Sequence, residues 1–166
     1  MASSRTIAAT ISLVALSIGT GTGSSAQSAA KATGLTVSAG GELLFHKHPL
    51  QPPIHANSSL EIGRVFHLGG GDVVLVKDTG GTACPFLYYL VTIRGAKAEA
   101  TPEFGSCTEV VSASQKGESI VLTMHGYRGP FEPEEERRRA ARELRTFVFA
   151  DGKVSEIKTA QNGANK

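Results

Sequence analysis

From Arg64 to Ile157 short runs of β-branched and aromatic residues alternate with clusters of turn-forming residues, and this punctuation constrains the fold more than any other feature. Val65 to Leu68 stops at Gly69-Gly70-Gly71. Asp72 to Lys77 carries four consecutive apolar residues, Val73 to Val76, the pattern of a strand covered on both faces. Asp78-Thr79-Gly80-Gly81-Thr82 turns the chain into a second β-rich run from Cys84 to Ile93, so the two runs predict a hairpin. Arg94 to Lys97 is another turn, followed by a shorter and more polar strand from Ala98 to Phe104. Cys107 to Ser114 and Ser119 to His125 flank Gln115-Lys116-Gly117-Glu118 as a further pair. Thr146 to Phe149 and Val154 to Ile157 flank Asp151-Gly152, a strong two-residue hairpin signal. The expected fold is mainly β: an antiparallel meander, barrel-like or sandwich sheet, of about seven strands.

One helix interrupts the pattern near the C-terminus. Pro133 precedes Glu134-Glu135-Glu136 and then Arg137-Arg138-Arg139, with Ala140, Ala141, Arg142, Glu143 and Leu144 behind. Carboxylates in the first turn and guanidinium groups later match the helix dipole, and Glu134/Arg138 and Glu135/Arg139 are favourable i,i+4 pairs. Its apolar stripe is thin, so it belongs on the surface.

The N-terminus reads as an export signal, residues 1–26, cleaved after Ala26 or alternatively after Ala30. Arg5 supplies the positive end, and Ile7 to Ile18 form an uncharged apolar stretch of about a dozen residues, short of the roughly 20 that span a bilayer. No stable membrane anchor is expected, and the mature chain is expected to be periplasmic or secreted. Residues 27–59 read as a flexible leader followed by a loop with Pro49, Pro52 and Pro53. Residues 60–158 read as the β-rich domain, and 159–166 as a disordered tail.

The 166 residues carry 17 Lys+Arg against 15 Asp+Glu, too balanced to point to nucleic acid. Cys84 and Cys107 are the only cysteines. In an exported chain they predict one structural disulfide, worth roughly 3 kcal/mol in the chain-entropy picture.

Three groups are candidates for chemistry. His46-x-His48 with His55 nearby offers imidazoles that would suit copper or zinc, although H-x-H alone is a weak metal pattern. The loop Gly126-Tyr127-Arg128-Gly129-Pro130-Phe131 offers a tyrosine, an arginine and a phenylalanine, the types that binding surfaces favour. Its bland alternative packs Tyr127 and Phe131 on the sheet and pairs Arg128 with a helix glutamate. The arginine run reads as a solvated, self-paired helix. No G-x-G-x-x-G, Walker A, G-x-S-x-G or H-E-x-x-H motif occurs, so neither a cofactor nor catalysis is expected. Asn57-Ser58-Ser59 satisfies the N-glycosylation rule, which matters only where that machinery exists.

Cys84-Pro85, Pro102-Glu103-Phe104-Gly105-Ser106-Cys107 and Gly126 to Glu132 before a charged helix resemble uncharacterised exported bacterial β-rich proteins with one disulfide, over about residues 60 to 158. That resemblance implies no activity. In architecture the chain is also similar to small periplasmic inhibitors of lysozymes or proteases, without their inhibitory loop motifs. The expected function is a binding module for a protein or cell-envelope ligand, with metal handling and a structural envelope role as alternatives.

Overall fold

The computed structural model describes residues 32–157, so the export signal and the tail assigned to 159–166 lie outside the described residues. Eleven strands and one well-formed helix make up this part: β1 (Leu35–Val37), β2 (Leu43–Phe45), β3 (His48–Pro49), β4 (Ser59–Leu68), β5 (Gly71–Thr79), β6 (Phe86–Arg94), β7 (Lys97–Ala100), β8 (Val110–Lys116), β9 (Ser119–His125), α1 (Glu134–Arg142), β10 (Leu144–Ala150) and β11 (Lys153–Ile157). They form three antiparallel sheets in the orders β1-β2-β3, β4-β5-β6-β7 and β11-β10-β9-β8, each a simple meander. The sheets do not close into a barrel.

The central sheet β4–β7 has a core on each face. Val74, Val76, Val91 and Ile93 pack with Leu35, Leu43, Phe45, Leu50 and Ile54 from the N-terminal segment. Val73, Leu75, Tyr88 and Leu90 point the other way and meet Ile120, Leu122, Met124, Phe147 and Phe149 of the β8–β11 sheet. Side chains alternate across a strand, so a strand buried on both faces must be apolar at every position, as Val73 to Val76 are. In β4 the register shifts between Ile62 and Val65. That bulge puts Leu60 and Ile62 on one core and Phe66 on the other, because one inserted residue reverses which face each later side chain takes.

The N-terminal segment departs from expectation. Residues 32–59 are not a flexible leader and loop: Leu35 and Leu43 are fully buried, and three short strands cap one face of the central sheet. β2 falls on the brief apolar run Leu43-Leu44-Phe45 that could start a strand, whereas β1 and β3 are two or three residues long and carry no comparable signal. His46 and Lys47, both at positive φ (49° and 70°), join β2 to β3 where Asn-Gly would be usual. Pro49 is tolerated because β3 lies at the sheet edge. The count of about seven strands was low chiefly for this reason.

The helix starts after Pro133 as expected but ends at Arg142, and Leu144 begins β10. Only Ala140 of the helix is buried. It lies against Gly126, where an added Cβ would stand 2.7 Å from the Ala140 carbonyl oxygen, so glycine there allows the close approach.

Candidate functional site

The Gly126–Glu132 loop connects β9 to the helix and is held at both ends. At its start, the Gly126 N–H donates to the Glu143 carbonyl at 2.9 Å. The Tyr127 hydroxyl then donates to the Thr82 carbonyl at 2.9 Å. At its end, the Glu132 N–H bonds the Gly129 carbonyl at 3.1 Å, and Arg137 Nε donates to the Glu132 carbonyl at 3.2 Å. Between these anchors Arg128 is exposed and has no ion pair or hydrogen bond among the described residues. Phe131 is 98% exposed. Of the three residues singled out in the sequence, Tyr127 is a fixing residue, whereas Arg128 and Phe131 face solvent. Phe131 is the most exposed of the large apolar side chains among the described residues, ahead of Val111, Leu144 and Ile157.

The loop stands on the disulfide region. Cys84 and Cys107 are bonded, with Cα atoms 4.7 Å apart. Each lies just before a strand, Phe86–Arg94 and Val110–Lys116, rather than inside it. Beside Cys107, the hydroxyls of Ser106 and Thr108 donate to the His125 carbonyl at 2.6 and 2.7 Å. The sequence set Thr82 in a turn and Ser106 and Thr108 beside Cys107 but carried no sign of their contacts, because each acts between segments distant in the chain.

The histidines are dispersed in role. His46 caps the β2–β3 turn, its ring 4.1 Å from that of Phe45, and His48 is exposed on β3. His55 Nε2 lies 3.8 Å from Glu42. Among the described residues, no three His, Cys, Asp or Glu side chains are grouped so as to hold a metal ion.

An open groove of 1560 Å³ runs between α1 and the outer face of the β8–β11 sheet, with Thr123, Leu144, Thr146 and Ile157 on the sheet side. Arg138, Arg139 and Arg142 on its other wall are interleaved with Glu135, Glu136 and Glu143, so it presents no dominant charge. A smaller hollow of 240 Å³ is bordered by Glu61, Lys77, Tyr88 and Glu109. Lys77 Nζ sits 2.7 Å from Glu61 and 3.5 Å from Glu109. The hydrogen bond to Glu61 raises the Lys77 pKa above its ordinary value, against the opposing effect of burial. Burial raises that of Tyr88 despite the 3.1 Å bond its oxygen accepts from the Val110 N–H. Tyr89 is pushed up to about 12, by burial first and then by the nearby carboxylates of Glu103 and Asp78. The raised pKa keeps the Lys77 ammonium protonated beside the carboxylates of Glu61 and Glu109.

These shifts give an alkaline limit. Each group binds its proton more tightly in the folded chain, so its contribution is complete below the unfolded pKa and disappears as pH rises through the folded value. Denaturation midpoints should hold steady to about pH 10 and fall between there and about 12. Urea titrations across that range, with ultraviolet detection of phenolate, measure both effects. A flat stability profile to pH 12 would contradict the assignment.

The sequence matches no known protein family, and neither a curated protein nor a solved structure is similar to it. Among the described residues, no helix is long and apolar enough to cross a membrane.

Proposed function

We propose that the chain is an exported, β-rich binding module, without catalysis, that recognises a protein or cell-envelope ligand through the Gly126–Glu132 loop. Phe131 is the apolar anchor and Arg128 the adjacent multi-donor cation. The observation that carries this reading is the 98% exposure of Phe131 on a backbone fixed by Gly126, Tyr127 and Glu132. Preorganisation lowers the entropy lost on association, and burying an aromatic side chain contributes roughly 1.5–3 kcal/mol. The disulfide and the apolar stretch behind Arg5 support export. Among the described residues no three ligand side chains are grouped to favour the metal alternative at His46, His48 and His55.

The test is affinity capture from an envelope extract with the oxidised chain, comparing wild type, Phe131→Ser and Arg128→Ala at equal thermal midpoints. Capture of a discrete component should fall about tenfold or more in Phe131→Ser, as for a hot-spot anchor, and less in Arg128→Ala. Identical recovery by wild type and Phe131→Ser would reject the loop as the recognition surface.

A further inference from the structure

We infer that the Cys84–Cys107 disulfide is a redox-sensitive lock on the Gly126–Glu132 loop, whose opening loosens the loop while both cores stay packed. Its consequence for recognition rests on the function proposed above. The mechanical coupling stands on the geometry alone.

The coupling is a closed circuit of covalent and hydrogen bonds. The Tyr127 hydroxyl donates to the Thr82 carbonyl, two residues before Cys84. The disulfide carries the connection to Cys107. Ser106 and Thr108, on either side of Cys107, donate to the carbonyl of His125, which precedes Gly126 and Tyr127. The disulfide therefore ties together two of the supports at the start of the recognition loop, the Thr82 and the Ser106/Thr108 contacts, while the Gly126 bond to Glu143 is independent of it.

Opening the bond acts unequally on those supports. The segment leading to Cys107 has independent anchorage: Tyr88 and Phe104 exchange backbone hydrogen bonds of 2.8 and 3.0 Å, and Thr101 N–H bonds the Leu90 carbonyl at 3.0 Å. The loop around Cys84 is held less well. Gly81, Thr82 and Ala83 are exposed, and its internal bonds are Gly80 N–H to the Pro85 carbonyl and Cys84 N–H to the Gly81 carbonyl. Cys107 itself sits at φ 66°, a left-handed conformation that disfavours a residue with a Cβ. Release of the bond frees it to leave that region. Neither cysteine belongs to either hydrophobic cluster, and both residues are only half-buried.

The chemistry is thiol–disulfide exchange with an external dithiol reductant. One thiolate of the reductant attacks a cysteine sulfur, breaking the Cys84–Cys107 bond and forming a mixed disulfide. Its second thiolate then displaces the remaining cysteine. The reductant leaves as a disulfide, having given two electrons, and Cys84 and Cys107 take up two protons as thiols.

Hydrogen exchange on the full chain tests the lock without any ligand, comparing the oxidised form with the form reduced by dithiothreitol and alkylated. Exchange at Gly126 and Glu132, the loop amides with backbone bonds, should rise about tenfold on reduction, read at early times when Leu90 and Leu122 stay protected in both forms, since local opening and global unfolding are separable. Tryptic cleavage after Arg128 should accelerate in parallel. Tyr127→Phe, with the disulfide intact, cuts the same circuit at its other link and should loosen 126–132 alone. Unchanged exchange at Gly126 and Glu132 on reduction would overturn the lock, and so would loss of protection at Leu90 and Leu122 at the same early times. The Phe131→Ser capture decides the recognition reading separately, because that substitution leaves the circuit whole.

Discussion

Leu43→Ala should lower the unfolding free energy by about 3 kcal/mol, the usual cost of a cavity left by a buried leucine. Leu43 is fully buried and packs with Leu35, Phe45, Leu50 and Ile54 against Val74, Val76 and Val91. Neighbouring strands cannot collapse freely into the gap, because β2 is fixed on one side by β1 and on the other by β3. Urea denaturation of the full chain measures the change, and Leu35→Ala should behave alike. A shift of less than about 0.5 kcal/mol, typical of exposed positions, would return the segment 32–59 to the status of a leader.

Asp78→Ala should cost a similar amount, about 3 kcal/mol, by a different route. The Asp78 carboxylate is 1% exposed, and its two oxygens accept from Asn57: Oδ1 from the backbone N–H at 3.0 Å, Oδ2 from Nδ2 at 2.7 Å. It fastens the end of the proline-rich segment to β5 just before the Ser58 N–H bonds the Thr79 carbonyl. Alanine leaves both Asn57 donors without that partner. Asp78→Asn should cost less, since one acceptor oxygen remains while its amide nitrogen opposes Asn57 Nδ2. A second readout distinguishes loss of the charge from general loosening. Burial raises the Tyr89 pKa most, but Asp78 adds to it, so Asp78→Asn should bring phenolate formation below about pH 12. Equal stability of wild type and Asp78→Ala would show that the clamp contributes nothing.

The sequence was informative where chemistry repeats locally. The continuous run Val73 to Val76 required burial on both faces, and Asp151-Gly152 marked the last hairpin correctly. The acidic-to-basic order marked the helix and its thin apolar stripe placed α1 on the surface, although only the Glu134–Arg138 pair of the two expected is formed among the described residues. Legibility failed where short-range signals were weak. Leu43-Leu44-Phe45 looks like a brief apolar run, and only the register Leu35 opposite Phe45 shows that it closes a sheet. The bulge after Ile62 reverses the facing of β4 with no turn signal beyond Gly63. The loop residues Tyr127, Arg128 and Phe131 were identifiable by type, yet their division into a fixing residue and two exposed ones depends on Thr82, 45 positions away. Separations of that size are set by packing, which residue type alone does not encode.

Recognition through Phe131 is tested most directly by placing a photo-crosslinking phenylalanine analogue at position 131 of the full chain expressed in its native host. The same analogue at Val111, which is 56% exposed on β8, serves as the control. Irradiation should give one discrete adduct from position 131 and none of that mass from position 111. The same adducts from both positions, or none from 131, would contradict a recognition surface centred on this loop.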